Sequence, residues 1–107
     1  MIYKFKSKAA GDVLMMGPNG DALLRVIGRE PAAKGIIEPA ACGPAITAIE
    51  QALRDDEAAR AAAEAEAAAR GDTLPAPEGV GLRQRLWPMV AMLKRAAAAN
   101  EPVVWGV

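Results

Sequence analysis

The stretch that most constrains the fold is residues 54–70, in which every apolar residue is alanine. Alanine has the highest intrinsic helix propensity. The pairs Asp56–Arg60, Arg60–Glu64 and Glu66–Arg70 are spaced i, i+4, as in solvent-exposed helices. Because alanine buries little surface when it packs, we expect 54–70 to form a helical arm that projects from the globular part.

The larger apolar residues fall into short groups outside the arm. Alternation of Tyr3 and Phe5 with Lys4 and Lys6 predicts a half-buried strand over 2–6. Strands are also expected at 13–16 and at 103–105, the latter on the edge of the sheet, with 35–37 as a further candidate. Helices are expected near 20–28, capped by Asn19 or Asp21, at 44–70, opened by Pro44, and at 82–99.

These elements predict an α+β fold. We expect a small, mostly antiparallel sheet of three to four strands, with about three helices packed on one face. The chain of 107 residues has the length of a single domain. Residues 71–81, which contain Pro75, Pro77, Gly79 and Gly81, are expected to form a Pro/Gly loop.

The inventory of reactive side chains is small. The chain has no histidine, and its one cysteine is Cys42. Histidine is the usual general base, and the common transition-metal sites are built on His and Cys. The sequence therefore leaves enzymatic activity uncertain, leans against it, and predicts no catalytic residue, metal ligand or cofactor.

Charge and segment lengths indicate the compartment. Thirteen basic and thirteen acidic residues cancel, so nucleic-acid binding is not expected. The N-terminal segment is charged from Lys4 onward and lacks the apolar region of a secretory signal. No apolar run approaches the ~18 residues of a membrane span. A cytoplasmic protein without membrane contact is the expectation.

Four features resemble sites, and each has a simpler interpretation. Lys4, Lys6 and Lys8 would grip phosphate only if they joined other cations, and charges on a strand more often keep it soluble. The turn at 17–20 precedes a helix N-terminus but lacks the spacing of a phosphate-binding loop. Cys42 is expected to be a small half-buried residue at a turn. The acidic run 55–57 fans around its helix and is most simply solvated.

Tryptophan is scarce, and both copies lie in the last quarter of the chain. Core packing is one explanation for them. The other is an interaction surface, because Trp, Met and Arg are enriched in the cores of protein interfaces. The candidate interaction surface consists of Arg83, Arg85, Trp87, Met89 and Trp105.

Several segments together resemble a known family. They are 4–9 with Met15, 35–37, 82–85 followed by Trp87, Pro88 and Leu93, and Val104 with Trp105. The set is similar to small bacterial proteins grouped as a domain of unknown function, family 1840. The resemblance implies one complete domain and brings no activity, ligand or active site.

Two hypotheses for function follow. The first is a non-enzymatic interaction or assembly module that forms a homo-oligomer or binds a protein partner. The second is a binder of a small anionic ligand, or an enzyme using only Lys, Arg, Asp and Glu. The second requires cations such as Arg83, Arg85, Lys94 or Lys34 to converge on a pocket.

Overall fold

The computed structural model describes residues 2–73 and 81–106. It contains four strands and three helices within these ranges, and the fold is α+β as predicted. In chain order the elements are β1 (Ile2–Ser7), β2 (Ala10–Met16), α1 (Gly17–Val26), β3 (Gly35–Ile37), α2 (Pro39–Ala69), α3 (Leu82–Ala99) and β4 (Val103–Trp105).

The four strands form one antiparallel sheet in the order β2-β1-β4-β3. The prediction that 103–105 lies on the edge is wrong, because β4 pairs with β1 on one side and β3 on the other. Trp105 is opposite Phe5 in β1 and Gly35 in β3. A three-residue strand near the chain end has the pattern of an edge strand, and only the long-range pairing with β3 makes it central.

The helices begin earlier than predicted. α1 begins at Gly17 rather than near residue 20, and neither Asn19 nor Asp21 caps it with a side-chain hydrogen bond. α2 begins at Pro39, and Pro44 lies inside it. Pro44 is the sixth residue of α2, so the helix lacks the bond that an N–H at this position would make to the Ala40 carbonyl.

α3 confirms the predicted helix at 82–99 and runs without interruption through Pro88. It ends where Asn100 adopts a left-handed conformation, with φ 55°. The amides of Asn100 and Glu101 donate to the Ala97 and Ala96 carbonyls, which satisfies two acceptors of the last turn. This tight ending returns the chain directly into β4.

The core lies between the helices and one face of the sheet, here called the inner face. Tyr3, Phe5, Met15, Ile37, Val103 and Trp105 point from the sheet into the core. The helices contribute the remaining buried apolar side chains, which are Leu23 and Leu24 of α1, Cys42, Ala45, Ile49 and Leu53 of α2, and Leu86, Met89, Val90, Met92, Leu93 and Ala96 of α3.

The alanine-rich stretch continues α2 without a break. After Leu53 the helix is exposed as far as Ala69, except for the half-buried Arg60 and the buried Ala67. Two of the predicted pairs are present, with Arg60 Nε 2.8 Å from Glu64 Oε1 and Arg70 Nη1 3.2 Å from Glu66 Oε1. The long helix gives the molecule extents of 51 × 27 × 23 Å. The predicted 71–81 loop falls mostly outside the described residues.

Candidate interaction surface

Two members of the predicted surface are buried. Met89 is completely buried among the side chains of the core. Trp105 is 2% exposed, its indole N–H donates to the Ala32 carbonyl at 3.0 Å, and its ring lies 5.6 Å from the Phe5 ring. Neither residue can belong to an exposed surface, and core packing is the correct interpretation for both.

The packing of Trp105 explains a glycine in the facing strand. A Cβ at Gly35 would overlap the six-membered ring of the Trp105 indole. The two residues are opposite each other in the β3–β4 pair, so the indole lies across the neighbouring backbone. This close approach requires glycine at position 35.

The other three predicted residues are exposed on α3. Trp87 is 47% exposed, with the Arg83 guanidinium carbon 5.7 Å and the Lys94 nitrogen 5.5 Å from its ring centre. Arg83 also donates to Glu57 at 2.7 Å, which ties the start of α3 to the exposed half of α2. An exposed tryptophan flanked by cations suits contact with a partner that carries both apolar and acidic groups.

Arg85 lies apart from Trp87, on a groove between α3 and β2. On the strand side the groove is lined by Asp12 to Met16, and on the helix side by Gln84, Arg85 and Pro88. No ion pair of Arg85 is seen in the described part of the chain. The candidate cations therefore do not converge: Arg83 and Lys94 flank Trp87, and Arg85 faces β2.

The sequence interpretation missed the other face of the sheet, here called the outer face. Ile2, Leu14 and Met16 are 62%, 65% and 62% exposed, and Ile36 is 41% exposed. Ile2 is opposite Met16, and Ile36 is opposite the half-buried Val104. The alternation of side chains along the strands already indicated this face. Because Tyr3 points inward, its neighbour Ile2 must point outward, and because Met15 points inward, Leu14 and Met16 must point outward.

Charges of both signs accompany these apolar side chains. Lys4 and Lys6 occupy outward positions in β1, and Lys4 Nζ lies 3.6 Å from the Asp12 carboxylate. Lys4 is thus paired with a carboxylate, and Lys6 and Lys8 line a groove that also contains Glu101. The outer face is mixed in charge and mostly apolar.

The predicted turn at 17–20 is the first turn of α1, and the Tyr3 ring packs against it. A Cβ at Gly20 would overlap the Tyr3 ring, and the Tyr3 hydroxyl donates to the Asp21 carboxylate. This hydrogen bond raises the pKa of Tyr3, and burial of the ring and the negative charge of Asp21 add to the effect. The start of α1 therefore docks a side chain of β1 and leaves no anion cradle.

Cys42 is fully buried inside α2, and the prediction of a half-buried turn residue is wrong. Its thiol lies 3.5 Å from the Glu38 carbonyl, to which it donates. Burial raises the pKa of the Cys42 thiol, because the thiolate would lose its hydration. The thiol is therefore protonated and inert at neutral pH.

The acidic run at 55–57 does not converge. Asp55 accepts from Gln51 Nε2 at 2.8 Å, and Glu57 pairs with Arg83. Within residues 2–73 and 81–106, no three His, Cys, Asp or Glu side chains come together as a metal site. None of the helices in these ranges has both the length and the apolar character to span a membrane.

Comparisons with known proteins give the family. A search of curated proteins and a search of solved structures each found no match. The family described as Domain of unknown function (DUF1840) matches residues 1–105 of the 107. The resemblance of the N-terminal strand, the Trp87–Pro88 helix and the C-terminal Val104–Trp105 is thereby confirmed, and the chain belongs to the DUF1840 family.

Proposed function

We propose that this domain is a non-enzymatic interaction and assembly module, which forms a homodimer through the outer face of its sheet. The observation that supports this is the exposure of Ile2, Leu14, Met16 and Ile36 on the same face. An antiparallel sheet with one face in the core normally carries polar residues on the other. Exposed apolar side chains gathered on one face are typical of an interaction site, and here Lys4 and Lys6 of β1 lie between the β2 side chains and Ile36 of β3.

A second copy suits this face better than an unrelated partner. The face presents cations and the carboxylate of Asp12, so two copies related by a two-fold axis can place opposite charges against each other. Two sheets that pack face to face lie about 10 Å apart and interdigitate their side chains. Ile2 and Met16 from each copy would then be shielded from water.

The size of the face sets the expected strength of the dimer. Four strands spaced about 4.8 Å apart make a face roughly 19 Å wide. The strands have three to seven residues, which at about 3.3 Å per residue makes the face at most roughly 23 Å long. Two faces of this size bury less than the roughly 1,600 Å² of a standard stable interface. We therefore expect a reversible dimer whose population depends on protein concentration.

Arg83, Arg85 and Trp87 remain in the proposal as a separate contact region for a protein partner. They lie on α3, whereas the self-association surface lies on the outer face of the sheet. The ligand-binding hypothesis is less favoured, because of its four cations only Arg83 and Lys94 meet, at the Trp87 ring, and Lys34 lies beside Gly106. Arg83 is engaged with Glu57 and Trp87, and Arg85 faces β2.

Size-exclusion chromatography with light scattering tests the proposal. The wild-type mass should rise with concentration from 11.1 kDa toward twice that value. The double variant Ile2→Lys with Ile36→Lys should stay monomeric, because it replaces the apolar contacts of both residues and adds four ammonium groups to those of Lys4 and Lys6 already on the two faces. The control adds the same two lysines to the exposed arm, as Ala61→Lys with Ala65→Lys, and should associate like the wild type.

Two results would count against self-association through this face. One is a wild-type monomer at every concentration. The other is a double lysine variant that associates as the wild type does. Trp87→Ala locates the interface if the second result occurs, because loss of association in that variant would place the contact on α3.

A further inference from the structure

A groove of about 520 Å³ separates the free edge of β2 from α3. Among the described strands β2 pairs only with β1, so the backbone groups along its other edge have no strand partner. The pairing between 13–16 of β2 and 2–5 of β1 is regular, and the irregularity lies beyond Phe5. The edge is therefore regular from Val13 to Met16, and Asp12, at the end of the groove, lies in the irregular stretch.

Proteins usually protect such an edge. Proline, lysine, a bulge or a covering loop prevents another chain from pairing with it. β2 contains no proline and no lysine, and its one charged residue is Asp12. A regular strand edge beside a helix is the arrangement in which β-strand addition captures extended peptides. The hydrogen-bonding groups of β2 thus specify an extended backbone as the occupant.

The helix side of the groove determines which charge the occupant should carry. Arg85 is exposed there, and no ion pair of this residue is seen in the described ranges, whereas Asp12 is paired with Lys4. Pro88 has no N–H, so it cannot donate to the Gln84 carbonyl as an ordinary helix residue would. The groove therefore presents an unpaired cation, which favours an acidic side chain in the occupant.

We propose that an extended acidic segment of a partner protein binds in this groove, as a fifth strand beside β2, with a carboxylate on Arg85. This inference goes beyond the proposed dimer, because it uses the edge of the sheet and α3 instead of the outer face. The main-chain bonds to β2 supply affinity, and Arg85 supplies the preference for acid.

A peptide titration followed by NMR tests this assignment. The probe is a capped peptide of the length of β2, in which valine alternates with glutamate, and the matched probe has lysine in place of glutamate. The acidic peptide should shift the amide signals of 12–16. It should bind at least about tenfold more tightly than the lysine peptide, because the charge on Arg85 favours one and opposes the other.

Two forms of N-methylated peptide separate strand addition from charge attraction. Methylation of the amides on one edge of the peptide should abolish binding, and methylation on the opposite edge should leave it intact, because a strand uses one edge at a time. Arg85→Glu should weaken the acidic peptide at least about tenfold. The matched variant Arg95→Glu, an exposed charge on α3 outside the groove, should not.

The inference is overturned if the acidic peptide produces no shifts in β2, if the lysine peptide binds equally well, or if both methylated forms bind alike. All titrations are repeated with the monomeric variant Ile2→Lys with Ile36→Lys. Peptide binding in a protein that never dimerises would contradict the homodimer and leave the groove assignment intact. A protein that dimerises but does not bind the peptide would contradict the groove assignment and leave the homodimer intact.

Discussion

The two faces of the sheet both carry large apolar side chains, but the inner face is covered by helices and the outer face is exposed and also carries Lys4 and Lys6. On the inner face Tyr3, Phe5 and Trp105 are buried under helices that continue from the same chain. On the outer face Ile2, Leu14 and Met16 remain mostly exposed. The difference shows that alternation alone does not distinguish a core from an interface. Both faces alternate correctly, and only the positions of the helices decide which one is covered.

The largest effect is expected from Phe5→Ala on the inner face. Phe5 is fully buried between the Tyr3 and Trp105 rings, at 5.8 and 5.6 Å between ring centres. Removal of a buried phenylalanine lowers the free energy of unfolding by about 3–5 kcal/mol. Urea unfolding followed by circular dichroism measures it. Phe5→Leu, which keeps most of the volume, should lose far less, and equal losses would contradict the packing described.

Gly35→Ala should have the next largest effect. The new methyl group must displace the Trp105 indole and disturb its bond to the Ala32 carbonyl. Overpacking of this kind costs about 1–3 kcal/mol. The control is Gly11→Ala, since no atom lies within 4 Å of a Cβ at that position. Urea midpoints that fall equally in the two variants would show that the indole does not lie across Gly35.

Tyr3 should make stability depend on alkaline pH. Its raised pKa means that the folded state holds the phenolic proton more tightly than the unfolded state does. The contribution is fully present below the unfolded pKa of about 10 and is lost as pH rises through the folded pKa. Thermal unfolding from pH 9 upward measures it. Tyr3→Phe should remove this component of the decline.

The chain offers a direct check on the same proton. Tyr3 is its single tyrosine, so phenolate absorbance reports one group. The titration midpoint should lie above that of a free tyrosine peptide, and Asp21→Asn should bring it closer to the peptide value. A midpoint at or below the peptide value would contradict the hydrogen bond to Asp21.

The smallest effect on the monomer is expected from Leu14→Ala on the outer face. Exposed substitutions usually change stability by no more than about 0.5 kcal/mol, whereas a buried Leu→Ala loses about 2–5 kcal/mol. Measured at low concentration, the unfolding midpoint should barely move, while dimerisation weakens. A large loss in the monomer would mean that the outer face is already covered within one chain.

Periodicity predicted the elements but not their neighbours. The strands at 2–6, 13–16 and 103–105 and the helix at 82–99 were predicted from the pattern of apolar residues, and 35–37 was a candidate strand that the structure confirms. The central position of β4 was not, because it depends on pairing with β3, which is far away in the chain. The starts of α1 and α2 were misplaced because a proline is compatible with the first turn and can also be tolerated just beyond it.

The interaction surface was only partly accessible to sequence reasoning. Rarity singled out Trp87 and Trp105 equally, yet one is 47% exposed and the other 2% exposed. Rarity does not tell a core residue from a surface residue. The alternation of side chains along β1 and β2 would have identified Ile2, Leu14 and Met16 as pointing outward. It could not have shown that the three described helices leave them uncovered.

The most direct test of the outer-face dimer is the solvent exposure of its methyl groups. A soluble nitroxide added to methyl-labelled protein broadens exposed methyl signals. If the dimer forms through the outer face, the Ile2, Leu14, Met16 and Ile36 signals become protected as protein concentration rises, while the exposed Ala61 signal does not change. Outer-face methyl groups that stay equally accessible at every concentration would contradict it.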